Sequence, residues 1–288
     1  MENLLERAKE LYNQRFGAES KIVDLHSKEK VIVAEFVGNV IVSCCSVDYF
    51  EDFCLVLEEV FKVPHAVFSA QKELEKYIVK IARLDFLDEI RSVMEKCEKI
   101  VNLRMKEFEE NGKDERSVFK ELCFCILTAN FSAEGGIKIQ RSVGDGFITL
   151  TKEELSDELR RLGHRFPDSR AEYIVDARRL YGNLLETIKG FRCSSSVREW
   201  LIENVKGLGY KEASHFLRNI GFKDLAIIDR HIINYLEIKG LIEKPKTLTK
   251  RRYLECESIL SAIAYRLRIT VAELDLYIWY LMTGKILK

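Results

Sequence analysis

The spacing of apolar and polar positions changes character partway along the chain. Between Met1 and about Asp85 two periods alternate. Leu4, Leu5, Ala8, Leu11 and Tyr12 recur at helical spacing and stop at Gly17, which predicts an amphipathic opening helix. Three β-branched runs follow, KIVDLH, VIVAEFVG and VIVSCCSV, with Gly38 and Asn39 between the last two, and a hairpin is expected to turn on that dipeptide. DYFEDFCLVLEEVFKV then returns to helical spacing before Pro64. Residues 1–85 are expected to form a small α+β domain, and nothing in them points to a role.

Beyond about Leu84 the period of two nearly vanishes. Helical patterns cover roughly 86–111, 114–130, 151–162, 168–188, 194–204, 211–221, 228–238, 248–266 and 270–283. Breaks are read at NGKD, EGG, GHRFPD and KGLG, and Asp114 and the Thr151/Glu154 capping box mark two starts. Residues 86–288 are thus expected to form one all-helical domain.

Composition narrows the class. An apolar share of 47% with charge at 32% describes an ordinary globular chain, and no apolar run is long enough to span a bilayer. The opening helix carries both charge signs, unlike a secretory leader, so a cytoplasmic protein with access to the nucleoid is expected. Cys44, Cys45, Cys54, Cys97, Cys123, Cys125, Cys193 and Cys256 form no C-x-x-C pair, and the five histidines are scattered. No metal and no cofactor are expected. Lysines and arginines balance acids at 46 each, yet residues 205–288 hold 15 basic against 9 acidic side chains while residues 1–85 hold 11 against 15. The basic surplus lies where the candidate chemistry lies, and a modest patch can meet phosphates.

That chemistry begins with VKGLGYKEASHFLRNIG, read as a helix, a very short turn and a second helix. Gly207 and Gly209 allow backbone geometry denied to other residues and let a phosphodiester approach the amides, while the positive end of the following helix favours an anion. Lys211, two residues into that helix start, sits where the dipole disfavours an ammonium, which suits a nucleophilic amine. Asp229 follows the apolar run LAII at the N-cap of the next helix, where its carboxylate also suits stabilisation of positive charge at a reacting sugar carbon. A plain inter-helix turn with an exposed lysine and a capping aspartate explains the same residues.

The stretch GLGYKEASHFLRNIG with AIIDRHI resembles the helix-hairpin-helix superfamily of DNA base-excision glycosylases. ELCFCILTANFSAEGG, GHRFPDSRAEYI and DLYIWYLMTGKILK are similar to its archaeal-type 8-oxoguanine DNA glycosylase/AP lyase subfamily, over about residues 86–288. The resemblance implies a mainly α fold, a helix-hairpin-helix DNA glycosylase fold, here with an extra small N-terminal α+β domain. It implies Lys211 as nucleophile and Schiff-base former, Asp229 as its carboxylate partner, Gly207 and Gly209 as DNA phosphate anchor, and Phe166 and Trp279 as base-pocket aromatics. It also points to the carboxyl end, where a main-chain carboxylate on Lys288 would accept from the N7–H that 8-oxoguanine has and guanine lacks. The expected partner is double-stranded DNA containing oxidised guanine, met by a monomer. A non-catalytic helix-hairpin-helix DNA-binding module, or a glycosylase for another lesion, remains open. Only Cys256 follows Asp229, so the four-cysteine iron–sulphur cluster of some superfamily members is not expected.

Overall fold

The computed structural model describes residues 1–288. In chain order the first elements are α1 (Glu2–Phe16), β1 (Ser20–Lys28), β2 (Val31–Gly38), α2 (Ser46–Phe61), β3 (His65–Lys72) and β4 (Tyr77–Arg83). Helices follow: α3 (Leu87–Asn111), α4 (Glu115–Thr128), α5 (Ala133–Val143), α6 (Gly146–Thr149), α7 (Lys152–Arg161), α8 (Pro167–Ala177) and α9 (Leu184–Lys189). The chain continues through α10 (Ser194–Asn204), α11 (Tyr210–Asn219), α12 (Arg230–Ile238), α13 (Lys250–Leu267) and α14 (Val271–Thr283).

Two compact units result. One combines Met1–Glu95 with Arg230–Thr270, and the other combines Lys96–Asp229 with Val271–Lys288. The sequence reading put a boundary near 85 and kept everything after it together; the sheet-bearing unit instead reaches Glu95 and takes in α12 and α13. The physical reason is the apolar face of α13, where Tyr253, Cys256, Ile259, Leu260 and Ile263 are buried and the helix packs on β3. Lys80 pairs with Glu255 at 2.9 Å, and the Lys30 amide donates to the Gly240 carbonyl at 3.1 Å.

Within this unit the four strands are antiparallel in the order β1-β2-β4-β3. The tight turn joins β1 to β2 at Glu29 and Lys30, because Lys28 pairs with Val31. The run VIVSCCSV, expected as a strand, is not one. Gly38, at φ 103°, ends β2, and Asn39–Ile41 form a 3-10 turn that drops Val40 into the core. β3 and β4 escaped the pattern reading. The inner sheet face meets α1 and α2 through an aromatic cluster in which Phe36 lies 5.7 Å from Tyr12 and 5.0 Å from Phe50, edge to face.

The second unit is built around α4, whose residues from Val118 to Thr128 are buried except Lys120. A helix buried on nearly every side needs neighbours all round, and α5, α8, α9 and α11 supply them. The EGG signal, read as a break, lies inside α5. A side chain at Gly136 would meet Thr128 Cγ2 at 2.7 Å, so glycine there permits close helix approach rather than ending a helix. The pattern over 168–188 is interrupted instead. The Glu115 carboxylate accepts from the amides of Gly182, Leu184 and Leu185 at 2.8, 3.0 and 2.9 Å, capping a separate α9.

His65 gives this architecture a pH signature. It opens β3 fully buried, its Nδ1–H donates to the Val63 carbonyl at 2.9 Å, and Nε2 has no partner. Burial lowers its pKa from 6.5 to about 4. A depressed imidazole pKa means that the neutral form's stability is full above about 6.5 and is lost as pH falls towards 4, a loss of about 3 kcal/mol. Denaturant unfolding at pH 7 and at pH 4 should therefore show a smaller difference for His65→Phe than for the natural chain. Parallel pH profiles would remove His65 from the acid sensitivity.

Candidate active site

The hairpin forms as expected, but its two glycines differ. Gly207 has φ 87°, and a side chain there would lie 2.6 Å from Tyr173 Cδ2, so both conformation and space require glycine. Gly209 is extended, at φ −107°, a conformation open to any residue. That corrects the reading of both as backbone necessities: what Gly209 supplies is a bare approach to the start of α11. Its amide faces the Glu212 carboxylate at 3.4 Å. Arg170 lies under the turn, donates to the Ala129 carbonyl at 2.8 Å and stacks near Tyr173, with the charge of Glu212 acting on it.

Lys211 is the second residue of α11, with its side chain 30% exposed. Its Nζ lies 3.5 Å from Oε1 of Glu212, a charge partner that the dipole argument did not weigh. Asp229 stands immediately before α12, half-buried, its amide donating to the Ile227 carbonyl at 3.0 Å. The two meet electrostatically at a third group. The buried carboxyl of Asp275 on α14 is raised to about 6, chiefly by desolvation; Arg218 and Lys211 act to lower it and Asp229 to raise it.

Asp275 is itself held by Arg218 in a buried ion pair, with side chains 6% and 4% exposed. From Arg218 the polar chain runs inward: its guanidinium donates to Asn219 Oδ1 at 3.3 Å, and Asn219 Nδ2 donates to Glu121 Oε2 at 3.0 Å. Glu121 also accepts from Gln140 at 3.1 Å and from the Lys288 ammonium at 2.6 Å. Sequence reasoning missed Glu212, His215, Arg218, Asp275 and Glu121. A signal was present: Lys211, His215 and Arg218 stand at i, i+4 and i+7, one polar stripe on a helix buried from Ala213 to Asn219.

The other expected residues lie as follows. Trp279 is half-buried on α14, one turn beyond Asp275 and on the same face. Phe166 is 39% exposed at the N-cap of α8, with the Arg165 guanidinium 5.1 Å from its ring. Its amide donates to His164 Nδ1 at 3.0 Å, so Nε2 of His164 carries the proton given to the Leu127 carbonyl. Lys288 is anchored through its ammonium, on Glu121 and Gln140 and 4.4 Å over the Phe124 ring, whereas the sequence reading weighed only its main chain.

A bundle of helices carrying a glycine hairpin, a lysine in the first turn beyond it and an aspartate opening a later helix defines a helix-hairpin-helix DNA glycosylase fold. Residues 101–269 match the family model described as 8-oxoguanine DNA glycosylase, and the chain belongs to that family. It is 55% identical over 202 residues to the 8-oxoguanine DNA glycosylase/AP lyase of Korarchaeum cryptofilum, covering 70% of this chain and 96% of that one. The Methanocaldococcus jannaschii 8-oxoguanine glycosylase/lyase in complex with a 15mer DNA containing 8-oxoguanine superposes with TM-score 0.68 at 52% identity, covering 70% of this chain and 99% of that one. The 8-oxoguanine DNA glycosylase of Thermotoga maritima gives TM-score 0.67 at 46% identity, covering 71% and 99%.

The buried pair should dominate the stability of the site. Removing one partner leaves a charge without compensation, at a cost of about 3–5 kcal/mol, so Arg218→Leu should lower the melting temperature sharply. Arg218→Leu with Asp275→Leu together should cost less than the sum of the two single changes. Additive losses in a double-mutant cycle would mean the two groups are not coupled.

Proposed function

We infer that this chain excises 8-oxoguanine from duplex DNA and cleaves the strand at the resulting abasic site, acting as a monomer on chromosomal DNA in the cytoplasm. The observation that carries the site assignment is the placing of Lys211 in the first turn of α11, directly beyond the tight hairpin turn that Gly207 makes at φ 87°. Gly207 and Gly209 present the amides of the turn to a phosphate near the lesion. The extruded nucleotide then offers its C1′ to the Lys211 amine. Nζ bonds to C1′ as the glycosidic C–N bond breaks, the departing base takes a proton, and Asp229 stabilises the positive charge that develops on the sugar. Ring opening leaves an imine between Lys211 and C1′. Loss of a proton from C2′ then expels the 3′ phosphate by β-elimination.

Trp279 and Phe166 supply faces for the extruded purine, and Lys288 closes the pocket, its position set by Glu121 and Gln140. Residues 1–85 act as an accessory segment. What supports this is the length of the relatives, which are matched almost end to end by about 70% of this chain.

Lys211→Gln should abolish both base release and the covalent DNA adduct trapped by borohydride, with little loss of duplex affinity. Full trapping by that variant would remove Lys211 from the chemistry, and absence of trapping by the natural chain would favour a binding module. Asp229→Asn should keep the helix cap, since Asn caps as well, yet lose most turnover. A near-normal rate with a lowered melting temperature would leave Asp229 a structural role alone.

A fragment of residues 86–288 should still excise 8-oxoguanine, but at a lower melting temperature, because α13 loses the cover of β3. An insoluble or inactive fragment would show that the amino-terminal segment is integral rather than accessory.

A further inference from the structure

His215 is the one polar group of the α11 stripe still without a role, since Lys211 is the proposed nucleophile and Arg218 holds Asp275. It is 7% exposed, and neither ring nitrogen has a hydrogen-bond partner. Leaving both nitrogens of a buried imidazole unmet is costly, and an aromatic or aliphatic side chain would fill the space without that penalty. The position is informative. His215 stands one turn after Lys211 on the same face of α11, and its ring lies edge-on to Phe124, 5.5 Å between centroids. The Lys288 ammonium sits 4.4 Å over that same Phe124 ring, and the Lys288 main chain approaches the imidazole without reaching hydrogen-bond geometry. Phe124 is thus a shared floor for the nucleophile's helix and the tail.

We propose that His215 is a positioning residue whose imidazole N–H holds the Lys288 main chain against α11 when the base pocket is occupied. The role requires a neutral ring with one donor and one acceptor. Burial, together with the charges of Arg218, Lys211 and Lys288, keeps the imidazole from protonating. In the free chain the Lys288 main chain acts on the imidazole from beside it, short of a full hydrogen bond. With base in the pocket, a shift of the tail completes the bond and sets Lys288 relative to Lys211. The inference rests on the reading of Lys288 as a pocket residue, and it can fail while that reading stands.

The test is a double-mutant cycle in the full chain, read as the ratio of 8-oxoguanine release to strand cleavage at a preformed abasic site. His215→Phe keeps the ring and removes both nitrogens, and His215→Met serves if the Phe variant does not fold. Each should lower the ratio about tenfold, as should deletion of Lys288, and the combination should be no worse than the worse single change. His215→Asn or His215→Gln, which restore an N–H, should recover part of the loss. Effects that multiply would overturn the proposal, because His215 would then act on the base or on Lys211 directly. An unchanged ratio in His215→Phe would overturn it too. An unchanged ratio on deleting Lys288 would instead remove the tail from the pocket, and the proposal with it.

Discussion

Two opposite charges buried against each other, Arg218 on α11 and Asp275 on α14, set the terms for everything around them. Neither tolerates burial alone, so the helices that carry them are tied in register as well as in proximity. α11 carries Lys211 and α14 carries Trp279, one turn from Asp275. The distance between Lys211 and Trp279 is therefore governed by an interaction that touches neither. The amide of Ala272, donating to the Lys223 carbonyl at 3.1 Å, fixes the start of α14 against the chain leaving α11. Glu121 continues the network to α4, α5 and the tail by accepting from three different side chains. Such a connected set resists rearrangement, because any one member that moves strands another without a partner.

Backbone and packing divide the labour around this network. Gly207 is needed where the chain takes a left-handed turn over Tyr173, and Gly136 where two helices come too close for a side chain. Gly209 is needed for neither reason.

Much of the helical unit was legible from periodicity, because α4, α10, α11 and α14 each carry enough apolar positions at the helical period to be read without their neighbours. The hairpin, Lys211 and Asp229 were legible as a motif. What escaped has physical reasons. EGG looks like a break because glycine is a poor helix former, and only the approach of Thr128 and Phe124 explains its place in α5. VIVSCCSV has strand composition, but the turn at Gly38 denies it a partner strand. Arg218 and Asp275 are 57 residues apart, and nothing local in either helix announces the other. The apolar face of α13 showed that it must pack, but not that β3 would receive it.

The alternation of the two units along the chain has a consequence for synthesis. The sheet is complete once Arg83 has been made, yet the helix that covers β3 lies between Lys250 and Leu267. As the chain leaves the ribosome from its amino end, the β3 surface stays open while the whole of Lys96–Asp229 emerges. The second unit waits in turn, since Arg218 meets Asp275 only after α13 has been made. Each unit encloses part of the other's coding length, so neither finishes folding first as an independent body. The nascent chain thus carries an exposed strand face and an unpaired buried-site arginine together, which makes the late stage of translation the period of greatest exposure to aggregation and to holdase chaperones.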